Sequence, residues 1–464
     1  MTAPVWFRNP STDFDVSLAE AFDQTAKSCP TRIAVDSGPR QLTYAQLTAA
    51  ANGLARNLID TGGAPQDRVA ILMAHDAPAI VAVVGAVKAG LVVLGLNCTD
   101  PTVRLRQLID DAEPSVIVTD AENLALATEL SRSGSTVLVF DLENDTETAD
   151  FSPVAVDHGQ TAMLVYTSGS TGRPKGVMKT HRQIRRNVAA HSEAMQYSEA
   201  DRIPLFSSIG TGQGTTVIWC ALLNGATLCP FSIRTKGFAG LAAWISDVKL
   251  TVFVSSASIS RALVRSLDSG LVFKNIRAVR LASESVTADD VKALRRHFSP
   301  DSVFVHTLSS SETGNIAWSR WAHSDHIPEG RIPVGHVSRE IEVILLGEDG
   351  QPVEAGEIGE LVVKSRYAAA GYWRDPALTA ERFSPVLDGR GTFLVRNGDL
   401  ARVNAQGLIQ YCGRKDSRIK IRGNRIEPSD IEWALTKLPG IEYAAAVAVT
   451  RENNEPTLVA FVVL

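Results

Sequence analysis

Cysteine is scarce and scattered in this chain. Five occur in 464 residues, Cys29, Cys98, Cys220, Cys229 and Cys412, and none forms a CxxC. An odd, dispersed set argues against a disulfide framework and reads as free thiols in a reducing compartment, so a cytoplasmic location is expected. The nine histidines contain no HExxH and no paired-ligand spacing, and no structural metal site is expected from them. Neither sign of charge dominates: the formal net charge is −5. Without a basic field, neither a nucleic acid nor a membrane surface is an expected partner. The first residues, MTAPVWFRNPSTDFD, lack the basic and apolar regions of a signal peptide. The longest apolar stretch, Pro78 to Leu96, nearly suffices to span a bilayer, but Lys88 sits in its middle and Gly90 breaks it. A buried helix followed by a buried strand is expected there instead. There is no internal repeat and no low-complexity tract.

What is present is the balance of a globular protein, 45% hydrophobic and 21% charged residues. The length allows several structural units around a large core. Short β-branched runs recur at Arg32–Val35, Arg68–Ala74, Ser115–Asp120 and Ser135–Phe140, and again at Leu250–Ser256, Ile276–Ser283 and Ser302–Ser309. Helical patterns separate them, as at Leu42–Ile59, where Thr43 is a candidate N-cap with Gln46 as its capping-box partner. Such alternation predicts an α/β fold with helix-covered parallel sheets.

After about residue 330 the texture changes to short strands with turn signals such as Asp349-Gly350, which predicts antiparallel β structure. A second break falls in GRKDSRIKIRGNRIEP, Gly413 to Pro428. Beyond it, Ser429 to Val447 reads as a helix, a Pro-Gly turn and a strand, with Ser429 as cap and Glu432 at the capping-box position. The last residues, TLVAFVVL, are mid-strand in pattern. A strand there needs a partner for its backbone groups, and the expectation is a chain cut from a longer one.

One stretch concentrates chemistry: YTSGSTGRPKGVMKTH, Tyr166 to His181, after the apolar lead-in Thr161–Tyr166. Glycines let backbone N–H groups approach an anion, small hydroxyls add donors, and cations neutralise phosphate. Thr167, Ser168, Gly169, Ser170, Thr171, Gly172 and Gly176 thus form a candidate polyphosphate cradle, with Arg173 and Lys175 supplying positive charge. It is not a Walker A loop, because Pro174 precedes Lys175 and Gly176 follows it. The plain alternative is a flexible surface loop.

The stretch resembles the phosphate-binding signature of the adenylate-forming superfamily, which includes acyl-CoA synthetases, firefly luciferase and the adenylation domains of nonribosomal peptide synthetases. The resemblance covers essentially the whole chain, with further motifs in the expected order: LTYAQL (Leu42–Leu47), AVKAGLVVLGLN (Ala86–Asn97), GYWRDPALTAERF (Gly371–Phe383), NGDLARV (Asn397–Val403) and GRKDSRIKIRGNRIEP. It implies a large N-terminal unit, residues 1–415, whose part at about 330–413 is a distorted antiparallel β-barrel. A small α+β unit from 416 to 464 follows, incomplete at its C-terminal end. It also implies the chemistry. A carboxylate attacks the α-phosphate of ATP, pyrophosphate leaves, and a thiol displaces AMP from the acyl-adenylate.

Roles follow from the resemblance. Lys175 serves the phosphates. Glu312 in SSSETG holds Mg²⁺, for which a carboxylate is a suitable hard ligand; otherwise it is a solvated loop acid. Ser311 replaces a more usual threonine and keeps the hydroxyl. Asp399 accepts from both ribose hydroxyls, or is a turn aspartate after Gly398. Arg414 lies near ribose and phosphate, Asp416 is the hinge, and Lys420 and Gly423 belong to a segment that swings in for thioester formation; the alternative for these is a charged linker. Ser283 and Ser309 border the nucleotide.

Three departures stand out. Leu308 replaces the aromatic residue that usually stacks on adenine. Ala282 and Ser283 stand where a glycine pair is common. The family's C-terminal catalytic lysine is absent, so a chain ending at Leu464 is expected to bind ATP and substrate but to adenylate poorly. The acid pocket is expected around Pro204–Gly214, with Phe206, Ser207, Gly210 and Gly212, and walls at Ser283, Ser309 and Asn315. Peptide-synthetase domains that take α-amino acids usually place an aspartate after the phenylalanine matching Phe206; here Ser207 stands there, and no acid occurs up to Gly214. An unpaired ammonium would cost roughly 3–5 kcal/mol, which disfavours an ordinary α-amino acid and favours a β-amino, aryl, hydroxy or fatty acid. The three glycines of this loop either leave room for a longer substrate or are loop glycines. KIRGNRIEPSDIEWAL resembles peptide-synthetase adenylation domains more than free-standing ligases, which favours a carrier-protein phosphopantetheine over coenzyme A. A non-catalytic nucleotide-binding scaffold and a γ-phosphate-using kinase are the readings from other classes.

Overall fold

The computed structural model describes residues 14–143, 151–168, 174–282, 286–415, 419–421, 424–426, 428–436, 438–450 and 456–463. Its first sheet has six strands, in the order Thr136–Val139, Val116–Thr119, Arg68–Met73, Val92–Asn97, Thr161–Ser168 and Pro174–Thr180. The first five run parallel and the last folds back antiparallel. The crossing helices form as the sequence dictates. Tyr44–Asp60 starts at Thr43, whose hydroxyl accepts the Gln46 N–H while Gln46 returns a bond to the Thr43 N–H, the expected capping box. The helix Ala77–Lys88 is buried nearly all round, as its uniform apolar character requires. Its Lys88 has no exposed surface, and its ammonium meets Asp23 Oδ1 at 2.6 Å. The apolar stretch is thus a core helix and a core strand. Among the described residues no helix is long and apolar enough to cross a membrane.

A second sheet sets Val252–Ser256, Ala278–Ala282 and Val303–Ser310 parallel, then adds Gly314–Ala322 and His336–Val337 antiparallel. The helices His181–Met195 and Gly212–Leu223 belong with the largest apolar cluster, which reaches both sheets. A smaller sheet joins Gln41–Thr43, Ile33–Asp36, Thr227–Pro230 and Arg202–Leu205.

The antiparallel region corrects one expectation. Its strands Glu342–Leu346, Gly359–Ser365, Phe393–Val403, Phe383–Pro385 and Ile409–Arg414 make an open sheet, not a closed barrel, among the described residues. The eleven-residue strand Phe393–Val403 explains this: two short strands, Phe383–Pro385 and Ile409–Arg414, divide its length, each pairing only part of it. Beyond the break, Pro428–Thr436 is helical and Tyr443–Thr450 pairs antiparallel with Pro456–Val463, which gives the final strand its partner. Ser429 lies inside that helix, after Pro428, so it is not the cap. Proline's fixed φ suits the first helical position, and the Glu432 carboxylate instead accepts the Ala446 N–H at 3.0 Å.

Candidate active site

The glycine-rich stretch follows a strand, as its lead-in predicts. Thr161–Ser168 turns back as Pro174–Thr180, pairing Thr167 with Lys175 and Tyr166 with Gly176. Gly169, Ser170, Thr171, Gly172 and Arg173, the tip of this hairpin, lie outside the described residues, as does the Ser168 side chain. Lys175 is half-buried, and its ammonium makes no hydrogen bond among the described residues.

The segment 369–373 runs along the open edge of this hairpin. Ala370 N–H donates to Met178 O at 2.9 Å, Met178 N–H to Gly371 O at 2.9 Å, and Trp373 N–H to Gly176 O at 2.7 Å. A Cβ on Gly176 would lie 3.1 Å from the Tyr166 ring and 3.2 Å from Trp373 Cβ, a tight approach that favours glycine. Tyr166 Oη donates to Asp111 Oδ2 at 2.5 Å and Trp373 Nε1 to Asp111 O at 3.0 Å, which pins the hairpin's base.

From this edge Tyr372 reaches across and donates its hydroxyl to Glu312 Oε1 at 2.8 Å. Burial and the Glu312 charge hold that phenol well above its ordinary range, so it stays a donor. The Glu312 main chain is held as firmly. Its carbonyl accepts from Ala369 N–H at 2.7 Å and from Gln183 Nε2 at 3.0 Å, and Gln183 also donates to Ser311 O at 2.9 Å. Ser310 Oγ, two residues before Glu312, accepts from Asn397 Nδ2 at 2.9 Å. That bond brings in NGDL. Two residues on, Asp399 is buried, with Arg414 as its register partner and Arg414 Nη1 3.3 Å from Asp399 Oδ1.

One connected set of bonds therefore joins Lys175 and Gly176, Trp373, Tyr372, Glu312, Ser310, Asn397, Asp399 and Arg414. Asp399 and Glu312 supply carboxylates, Lys175 a cation, and Asn397 Oδ1 is a buried acceptor with no hydrogen-bond partner among the described residues. That donor and acceptor set fits a ribose, a polyphosphate and a hard divalent cation. Leu308 is half-buried against Ile316 and Ala317, and Ser309 beside it is exposed. Ser283, Asp416 and Gly423 lie outside the described residues. Lys420 falls in the strand Ile419–Ile421, with its side chain outside them.

The acid loop is ordered by packing. Phe206 sits in an aromatic cluster, its ring centroid 5.7 Å from Phe253, 6.0 Å from Trp244 and 6.3 Å from Phe231. Gly210 and Gly214 are set by close backbone approach: a side chain on Gly210 would collide with the Gly95 carbonyl, and one on Gly214 with the Ser208 carbonyl. A Cβ on Gly212 would lie 3.1 Å from Ser311 Oγ, so this glycine is where the acid loop meets the Glu312 loop. Ser207 and Ser208 are half-buried. Asn315 has no exposed surface; it bonds Ser338 and lies 3.4 Å from His191 Nδ1, beneath the loops rather than on an open wall.

Sequence reasoning assigned no role to Tyr372, Gln183 or Asn397 Nδ2. Tyr372 and Asn397 lie inside quoted motifs, but which atoms they touch depends on segments up to 129 residues apart meeting. Lys179 was also passed over. It is 2% exposed, donates no hydrogen bond among the described residues, and burial, partly offset by Glu312, pushes its ammonium down to about 8.

A family profile described as AMP-binding enzyme matches residues 22–373. The chain is 32% identical over 457 residues to malpinin synthetase of Mortierella alpina, covering 97% of this chain and 6% of that protein. It is 31% identical over 467 residues to a dimodular nonribosomal peptide synthase of Bacillus subtilis (strain 168), covering 99% and 19%. Syringomycin synthase SyrB1 of Pseudomonas syringae pv. syringae is 30% identical over 455 residues, covering 96% and 72%. The chain thus spans less than a fifth of the length of the first two of these curated relatives. The fold is shared with ATP-bound MatB from Rhodopseudomonas palustris, at TM-score 0.81 and 22% identity over 96% of this chain and 88% of that one. It is shared too with an adenylation-PCP di-domain, NpsA-ThdA, from Klebsiella oxytoca, at TM-score 0.76 and 24% identity over 97% and 88%.

Proposed function

This chain belongs to the AMP-binding enzyme family, and from that premise we propose that it activates a carboxylic acid with ATP, forming an acyl-adenylate and pyrophosphate, and passes the acyl group to a phosphopantetheine thiol of a carrier protein. The observation that carries the reading is the connected set from Lys175 through Tyr372 and Glu312 to Asp399. Its members would supply a cation, a metal-ligand carboxylate and a ribose acceptor. In this reading Asp399 accepts from the ribose hydroxyls, Arg414 stands beside it, and Lys175 neutralises charge that spreads over the phosphate oxygens as the carboxylate attacks. Mg²⁺, held by Glu312, would supply further positive charge to the polyphosphate. The bonds on Glu312 and on the hairpin backbone hold that carboxylate and that turn before ATP arrives, and such pre-positioning is how phosphoryl and nucleotidyl transfer is accelerated. Lys420 enters for thioester formation as the unit beyond Asp416 rotates. The carrier-protein acceptor is supported by the match of 99% of this chain to a dimodular nonribosomal peptide synthase.

The test is ATP–pyrophosphate exchange by the natural full-length polypeptide across amino, β-amino, hydroxy, aryl, fatty and dicarboxylic acids. Exchange with at least one acid, and AMP as the nucleotide product, are expected. ADP release, or no exchange with any acid, overturns the reading. Acyl transfer to coenzyme A but not to a phosphopantetheinylated carrier would overturn the acceptor alone.

A further inference from the structure

One buried guanidinium has no ion-pair partner among the described residues. Arg280, in the strand Ala278–Ala282, is 2% exposed. Its Nη1 is 2.9 Å from His191 Nδ1, and its Nε has no hydrogen-bond partner among the described residues. Arg280 makes no ion pair among those residues. His191 is not its counter-charge. Burial, then the nearby Arg280, Arg186 and Lys179, push that imidazole well below its ordinary range, so it is neutral and accepts at Nδ1. Arg186, 1% exposed, spends its guanidinium on the main-chain carbonyls of Asn315 and Arg339. Three cations thus share one buried neighbourhood with a neutral histidine at its centre. A buried charge is expensive until something of opposite sign meets it.

The position of Arg280 says what that something is. Two residues on, its strand ends at Ala282, and Ser283 follows. Ligands of parallel sheets bind outside the carboxyl ends of strands. Asn315 shares His191 Nδ1 with Arg280 and is the register partner of Ser309. Burial pushes the thiol of Cys220, on the helix that the acid loop opens, up to about 12, and the nearby Arg280 charge opposes that rise. In the neighbouring strand the buried Thr307 hydroxyl, beside Leu308, also has no partner among the described residues. Arg280 therefore lies near the end of its strand, close to Asn315 and to the helix that the acid loop opens, with its Nε left without a partner among the described residues.

We propose that Arg280 is a specificity determinant at the floor of the acid pocket and that it pairs with a second carboxylate, so that the acid activated is a dicarboxylic acid. A guanidinium binds a carboxylate through two parallel N–H bonds, a geometry that a hydroxyl or an alkyl end cannot match. The pocket loop carries no acid that would repel such a group. The inference rests on the activation reading above.

Exchange is measured with malonate, succinate, glutarate and adipate against monocarboxylates of equal carbon number. One dicarboxylate is expected to exceed its monocarboxylate in kcat/KM by about 100-fold or more, the size of a lost buried charge partner. Arg280→Leu is expected to lower that ratio about 100-fold, chiefly through KM, and Arg280→Lys to keep part of it. Binding of the preferred dicarboxylate, followed by calorimetry with ATP present, should weaken in parallel. A monocarboxylate or amino acid preferred by the unmodified protein overturns the inference while leaving the activation reading intact. An unchanged ratio in Arg280→Leu does the same. If that variant fails to fold, Arg280→Lys and the ranking by the unmodified protein decide. No exchange with any acid ends both.

Discussion

Tyr372 shows how much one side chain decides. Its hydroxyl bonds the hairpin edge to the Glu312 carboxylate, and a hydrogen bond to a charged acceptor is worth about 1.5–3 kcal/mol. Tyr372→Phe keeps the ring packed against Phe383 at 5.7 Å but frees the carboxylate. The expected result is about a tenfold rise in the Mg²⁺ concentration that half-saturates pyrophosphate exchange, with the melting temperature little changed; an unaltered Mg²⁺ dependence would separate Tyr372 from the metal site. Asp399→Ala tests the other end of the set. It should weaken ATP binding by about tenfold or more in calorimetry, and unchanged affinity would contradict its ribose role. Lys175→Ala and Glu312→Ala should each impair exchange while the fold persists.

At the level of elements, the hairpin Thr161–Thr180 matters less for its own stability than for what seats it. The helix His181–Met195 begins where it ends, with Thr180 as N-cap. His181, 1% exposed, accepts the Leu18 N–H on Nδ1 at 3.2 Å and so fastens the first helix, Leu18–Ser28, to the start of His181–Met195. Burial pushes this imidazole down to about 4. Between that value and the unfolded value near 6.5 the unfolded chain binds the proton and the folded chain does not. Stability is therefore full above about pH 6.5 and falls as pH drops toward 4, by up to roughly 3 kcal/mol. Urea unfolding as a function of pH should show this loss, and His181→Asn, which keeps an acceptor but cannot titrate, should flatten it. A slope equal in both proteins would remove His181 from the account. The capping box at Thr43 was legible in the sequence because it spans three residues. Ser429 is not a cap because Pro428 starts its helix one residue earlier.

At the scale of the molecule the candidate site draws on loops from two mixed sheets and an open antiparallel one, so a ligand that touches all three should stabilise the whole. ATP with Mg²⁺ at about 100 times its dissociation constant should add about 2.7 kcal/mol, read as a rise of several degrees in melting temperature that chelation of Mg²⁺ diminishes. No shift at saturating nucleotide would contradict the shared site. The alternation of strand and helix, the core nature of Pro78–Leu96 and the order of the motifs were all legible, because periodicity and turn chemistry are local. So was the set of residue types, since Lys175, Glu312 and Asp399 each announce themselves by motif. What the sequence alone determined is therefore which elements form and which side chains are candidates for the chemistry. The tertiary structure decided the rest: that the antiparallel region stays open, that Gly210 and Gly214 serve close backbone approach, that Tyr372 bonds Glu312, and that Arg280 is buried beside a neutral histidine. Each of these depends on segments far apart in the chain lying within bonding distance, and local pattern carries no information about that separation.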